Sequence, residues 1–131
     1  MITFESKVTI NKTVKEVYNF LADLNNHRQL MPDNVEDWTS TYDTASFNIR
    51  NMTKLSLKVE SRIEDSEIII VPSEKPPFNL ELRWNLSFNN NQTEAVLTIL
   101  ADLNMMMKMM ASGPLQKLAD HQTQTLGSTL S

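Results

Sequence analysis

Between Val35 and Leu103 apolar residues recur at every second position in one short run after another, and from Asn104 to Leu126 that period gives way to the only long helical stretch. Alternation at period two describes a strand with one buried and one wet face. A chain that makes several such strands and then a single long helix has one sheet face to cover and one element long enough to cover it. The clearest run sets Phe78, Leu80, Leu82, Trp84, Leu86 and Phe88 against Asn79, Glu81, Arg83, Asn85 and Ser87. Leu55, Leu57, Val59 and Ile63 alternate with Lys54, Lys58, Glu60 and Arg62, and Ala45, Phe47 and Ile49 do the same with polar partners. The expected strands are Val35 to Ser40, Thr44 to Asn51, Thr53 to Ile63, Glu67 to Val71, Phe78 to Phe88 and Glu94 to Leu103. Short connections such as Asn89-Asn90-Asn91-Gln92 join them as an antiparallel meander. The Pro72 to Pro77 segment is read as a loop at the sheet's edge or mouth, because proline gives a ladder no donor.

The chain opens on a further half-buried strand, Ile2 to Ile10, in which Ser6 interrupts the apolar face as a hydroxyl either bonded locally or facing a ligand. Thr13-Val14-Lys15-Glu16 has the spacing of a capping box and starts a helix. Val14, Val17, Tyr18, Leu21 and Ala22 form its single apolar stripe. Asn25-Asn26 is expected to interrupt it, and a second short helix, His27 to Leu30, ends before Pro32.

Asn104 can cap the last helix. Gly113-Pro114 falls inside it, so a kink is expected there, or a short helix followed by a second one starting at Pro114. Met107, Ala111, Leu115, Leu118, Ala119, Gln122 and Leu126 share the side taken to face the sheet. Met105, Met106, Met109 and Met110 lie on other sides, and a stretch apolar all round is either deeply buried or offers a patch to a partner.

At 131 residues one domain and one core are expected, and with two glycines and five prolines little of the chain is left for linkers. The net charge of −4 disfavours phosphate backbones and anionic lipid, so no nucleic-acid partner is expected. No run approaches bilayer length and the first residues do not read as a signal peptide, so no membrane insertion and a cytoplasmic location are expected. The chain has no cysteine, no histidine pair at ligand spacing and no Gly-rich phosphate loop; neither a metal nor a cofactor is expected.

The order strand, helix pair, meander, long terminal helix resembles the helix-grip fold of the START-like (SRPBCC) superfamily, which includes pollen-allergen-like, polyketide cyclase/dehydrase and lipid-transport proteins. The resemblance is carried by the Ile2 to Ile10 strand, the helix Thr13-Val14-Lys15-Glu16-Val17-Tyr18-Asn19-Phe20-Leu21, the Leu30-Met31-Pro32 turn leading to Trp38, and the terminal helix. It implies a single α+β domain over residues 1–131, in which a curved antiparallel sheet of about seven strands wraps the C-terminal helix. It further implies a cavity between sheet and helix for a small hydrophobic or amphipathic molecule. The lining it suggests takes Tyr18, Met31, Trp38, Phe47 and Leu57 from the first half of the chain. From the second half it takes Trp84, Leu97, Met107, Ala111 and Leu115.

The fold alone licenses no reaction. A carrier or sensor of an apolar ligand is the first reading. A cyclase/dehydrase-like enzyme is the second, for which the candidate proton-moving groups are His27, near the cavity mouth by the resemblance, and Glu36, which reaches the pocket if Trp38 points inward. In the ordinary reading of each, His27 is a surface or helix-end residue and Glu36 sits at the rim in water. The third is an interaction module that forms a homodimer through the methionine-rich helix.

Overall fold

A computed structural model of the chain describes residues 1–50, 52–76 and 78–130. Strand β1 (Ile2–Ile10) leads through α1 (Val14–Ala22) and a 3-10 helix (Leu24–Leu30) into a meander. The meander comprises β2 (Val35–Ser40), β3 (Thr44–Ile49), β4 (Thr53–Ile63), β5 (Glu67–Pro72), β6 (Leu80–Asn89) and β7 (Gln92–Ala101), and α2 (Met105–Leu130) closes the chain. The seven strands form one sheet in the order β1-β7-β6-β5-β4-β3-β2, antiparallel throughout. The helical segment after β1 therefore carries the chain from one edge of the sheet to the other, and the meander returns it. The sheet curls around α2, which makes this an α+β helix-grip fold.

Each boundary has a local cause. Thr13 and Glu16 form both halves of the capping box at the start of α1. The interruption comes at Asp23 rather than at Asn25-Asn26: its carboxylate accepts from the Asn25 N–H at 2.9 Å, and the following turn is 3-10 and begins at Leu24. Asn90 and Asn91 both have positive φ, as the tight β6–β7 hairpin needs. Pro72 lies at the end of β5 opposite Leu57, where a missing donor does little harm. The expected strand end at Asn51 and the loop residue Pro77 lie outside the described residues.

Two bulges break the alternation. In β4 the pairing shifts between Val59 and Ser61, and one extra residue exchanges the two faces beyond it. Ile63, read from the sequence as inward, is 53% exposed. Arg62 turns in instead and donates from Nε and Nη2 to the Ala22 carbonyl at 3.0 and 2.8 Å, closing the end of α1 where carbonyls lack helical partners. Its guanidinium stacks 4.2 Å over Tyr42 and pairs with Asp43 at 2.8 Å. Phe88 keeps the expected face but is exposed, because β6 runs past the covered part of the sheet into the hairpin.

The terminal helix runs through Gly113-Pro114 as one element, so the two-helix alternative does not hold. Gly113 has no Cβ to meet the proline ring, which removes part of the clash that normally expels helix before proline. Met110, whose carbonyl loses its helical donor to Pro114, is exposed and open to water. Asn104 caps the helix, accepting from the Met107 N–H at 2.8 Å. Ala111, Leu115, Leu118, Ala119, Gln122, Thr123 and Leu126 are buried against the sheet, while Met107 is half-buried.

Candidate functional site

The core between sheet and α2 is nearly solid. A cavity of ≈ 20 Å³ lies there among the described residues, room for roughly one water molecule. Its floor is a row of inward residues on neighbouring strands: Ala45 and Phe47 of β3, Leu57 of β4, Ile70 of β5 and Leu82 of β6. Leu118 and Gln122, one turn apart on α2, form the roof. Leu24, His27, Met31 and Trp38 close the side, and the half-buried Met31 and Trp38 separate the cavity from solvent.

Trp38 reaches this position through the second bulge. Asp37 and Trp38 together stand opposite Phe47 alone, and Asp37 takes φ 56°, a conformation that Asp tolerates better than most residues. The indole stacks on Phe47 at 5.2 Å between ring centres, and its N–H donates to Ser40 Oγ at 3.0 Å. The same bulge parts Glu36 from Trp38. Glu36 is exposed on the other face and pairs with Arg50 at 3.3 Å, away from the cavity wall.

His27 is 3% exposed, and Nε2 donates to the Leu21 carbonyl at 2.7 Å, which leaves Nδ1 as the ring's acceptor. Burial lowers its pKa, opposed by that hydrogen bond and by Asp23, so the ring stays neutral where an exposed histidine would begin to charge. Gln122 is fully buried, and neither Oε1 nor Nε2 has a hydrogen-bond partner among the described residues. The sequence placed Gln122 on the inward face without assigning it a role. Its signal was the presence of one amide in a stripe of Leu and Ala, since a buried polar group is the informative exception.

Of the lining suggested by the resemblance, Met31, Trp38, Phe47 and Leu57 meet at this cavity together with His27. Trp84 and Leu97 are cross-strand partners packed in the core, and Leu115 is buried on α2; none of the three lines this cavity. Tyr18 is buried on α1, where burial and then Tyr42 raise its pKa; it is not part of the cavity wall. Met107 and Ala111 line a separate, open groove of ≈ 130 Å³ with Met52, Thr53, Phe78 and Met110. Among the described residues no group of three or more His, Asp or Glu gathers to hold a metal ion, and no helix is long and apolar enough to cross a membrane.

No protein-family model and no curated protein sequence matches the chain. Solved structures do. The KanY protein superposes with a TM-score of 0.82 at 11% identity, over 98% of this chain and 97% of that one. A START superfamily protein from Mycobacterium smegmatis gives 0.68 at 12%, over 98% and 96%. The Aha1 protein from Colwellia psychrerythraea, solved as a dimer, gives 0.70 at 15%, over 99% and 96%. At these identities the likeness establishes the fold, which is START-like along nearly the whole chain.

Proposed function

We propose that this chain binds a small, mostly apolar molecule between its sheet and α2. The observation that carries the reading is the composition of that cavity's wall: apolar floor, stacked Trp38 and Phe47, and two buried polar side chains, His27 and Gln122. Ligand pockets have this character, largely hydrophobic with a few polar groups to orient the guest. A ligand of ordinary size needs a few hundred Å³, so binding opens the space rather than filling a standing void. Met31 at the mouth is suited to that, because its side chain re-packs easily.

Native mass spectrometry of the protein as purified, against the same sample denatured, tests the reading, with saturable uptake of benzene followed by NMR. Ala45→Val, which adds bulk to the floor, is expected to abolish uptake, and Leu118→Ala to increase it. Neither retained mass nor saturable uptake in the wild type or in Leu118→Ala would sink it.

A second reading rests on α2. Met105, Met106, Met109 and Met110 are 83, 71, 83 and 65% exposed, an apolar patch of the kind that serves an interface. The Colwellia Aha1 protein of the same fold is a dimer. In this reading the chain self-associates through the first turns of α2, and Met106→Lys or Met110→Lys dissociates it. Light scattering that finds a monomer at every concentration removes it.

A further inference from the structure

Gln122 places a carboxamide in the otherwise apolar roof of the cavity. A primary carboxamide has two N–H donors and a carbonyl acceptor fixed side by side in one plane. Both its polar atoms are fully buried without a partner among the described residues, on α2 one turn beyond Leu118, and the side chain forms part of the cavity wall. Leaving such a group unpaired in an apolar interior is unfavourable by more than a single hydrogen bond is worth, because the lost hydration is not recovered. Leu or Met in its place would complete the stripe of Leu115, Leu118, Ala119 and Leu126 without that penalty.

The rest of the wall narrows the partner. None of the described residues lining the cavity is Lys, Arg, Asp or Glu. A carboxylate, phosphate or ammonium entering it would leave water with no opposite charge to meet. His27 offers no cation either, since its Nε2–H is committed to the Leu21 carbonyl and burial keeps the ring neutral. What an amide pairs with best in the absence of charge is its own mirror: a neutral group carrying a donor and an acceptor on adjacent atoms.

Resting on the binding reading above, we propose that Gln122 is the specificity residue of the cavity and that its ligand carries an uncharged donor–acceptor edge, a cis-amide or lactam, on an otherwise apolar body. Two neutral hydrogen bonds made together are worth roughly tenfold to a hundredfold in affinity.

The test titrates the full chain by NMR with 2-pyridone, N-methyl-2-pyridone, benzene and benzoate. The first presents the lactam edge, the second lacks its donor, the third has neither group and the fourth is charged. The expected result is a preference of tenfold or more for 2-pyridone over its N-methyl analogue, no binding of benzoate, and a larger downfield shift of the Gln122 side-chain amide protons with 2-pyridone than with benzene. Gln122→Met is expected to erase that preference and to raise the thermal midpoint of the free protein. Equal binding of 2-pyridone and N-methyl-2-pyridone, or a preference that survives in Gln122→Met, overturns the inference while benzene uptake leaves the binding reading standing. Saturable binding of none of the probes removes both. An unmoved Gln122 amide in the wild type overturns it without reference to any variant.

Discussion

The two halves of α2 belong to one unbroken helix and stand in opposite relation to the rest of the molecule. From Leu115 onward, Leu118, Ala119, Gln122, Thr123 and Leu126 are buried. Polar contacts also fasten this half: Ser6 and Thr123 hydroxyls meet at 2.6 Å, His121 Nδ1 donates to the Leu30 carbonyl at 3.0 Å, and Gln116 Nε2 to the Glu5 carbonyl at 3.3 Å. Before Pro114, Ala111 is the one residue counted buried, and Met105, Met106, Met109 and Met110 project into solvent. The sheet grips the helix by its far half. Asn104 caps the near half at its start, and with so little of it buried this half is expected to open locally before the core does.

The sharpest way to break that contrast is to truncate one side chain in each half. Leu126→Ala is expected to lower stability in urea by about 2–5 kcal/mol, the range for emptying a packed leucine site. Met109→Ala is expected to change it by less than about 0.5 kcal/mol, as surface substitutions do. Losses of similar size would mean the near half is as firmly packed as the far half.

Pro114 sits at the junction. Pro114→Ala restores the donor for the Met110 carbonyl, worth about 3 kcal/mol in a helix interior, less the entropy that proline removes from the unfolded chain, about 0.4–1 kcal/mol. A gain of about 2 kcal/mol is expected. Native-state hydrogen exchange should show amides of residues 107–112 exchanging faster than those of 118–126 in the wild type, with the gap narrowed in the variant. Equal protection in the wild type would refute the picture of a loosely held near half.

Much of this was legible in the sequence, and the failures have a common cause. Period-two runs located the strands, and the stripe from Met107 to Leu126 named the helix face that meets the sheet, because both follow from local geometry repeated many times. A bulge is one residue long and leaves no periodic trace. The one at Asp37 placed Glu36 and Trp38 on different faces, and the one in β4 exchanged Ile63 for Arg62. The candidate site was less legible than the fold: Trp84 and Leu97 point inward as expected, yet pack core rather than cavity, a distinction that depends on how neighbouring strands fill space.

His27, at the side of the cavity, ties the stability of the fold to pH. Its folded pKa lies below the unfolded value, so between the two the unfolded chain binds more protons than the native one. The neutral buried ring therefore contributes fully above its ordinary value, and stability falls as pH drops below about 6.5, by up to about 1.4 kcal/mol per pH unit for one group. Urea midpoints from pH 7 to 5 measure it. His27→Gln is expected to flatten the slope; an unchanged slope would assign the acid sensitivity to other groups.

A smaller effect than that of Leu126→Ala or Pro114→Ala is expected where the far half packs against β1 at Gly127. A Cβ built on Gly127 would lie 2.8 Å from Val8 Cγ2, nearer than packed carbons come, and a valine rotamer has little freedom to yield. Alanine there gains about 0.5–1 kcal/mol of helix preference but meets an overpacking penalty of about 1–3 kcal/mol. A net loss of about 1 kcal/mol is expected. Removing the obstacle should reverse the sign: in a Val8→Ala background the new methyl occupies space the valine vacated, and Gly127→Ala becomes neutral or stabilising. The double-mutant cycle reads this coupling directly, since the two residues touch. Additive losses would mean that the Gly127–Val8 approach does not set the fit of α2 at this end, and the grip on the far half would rest on its other contacts, the Ser6–Thr123 hydroxyl pair among them.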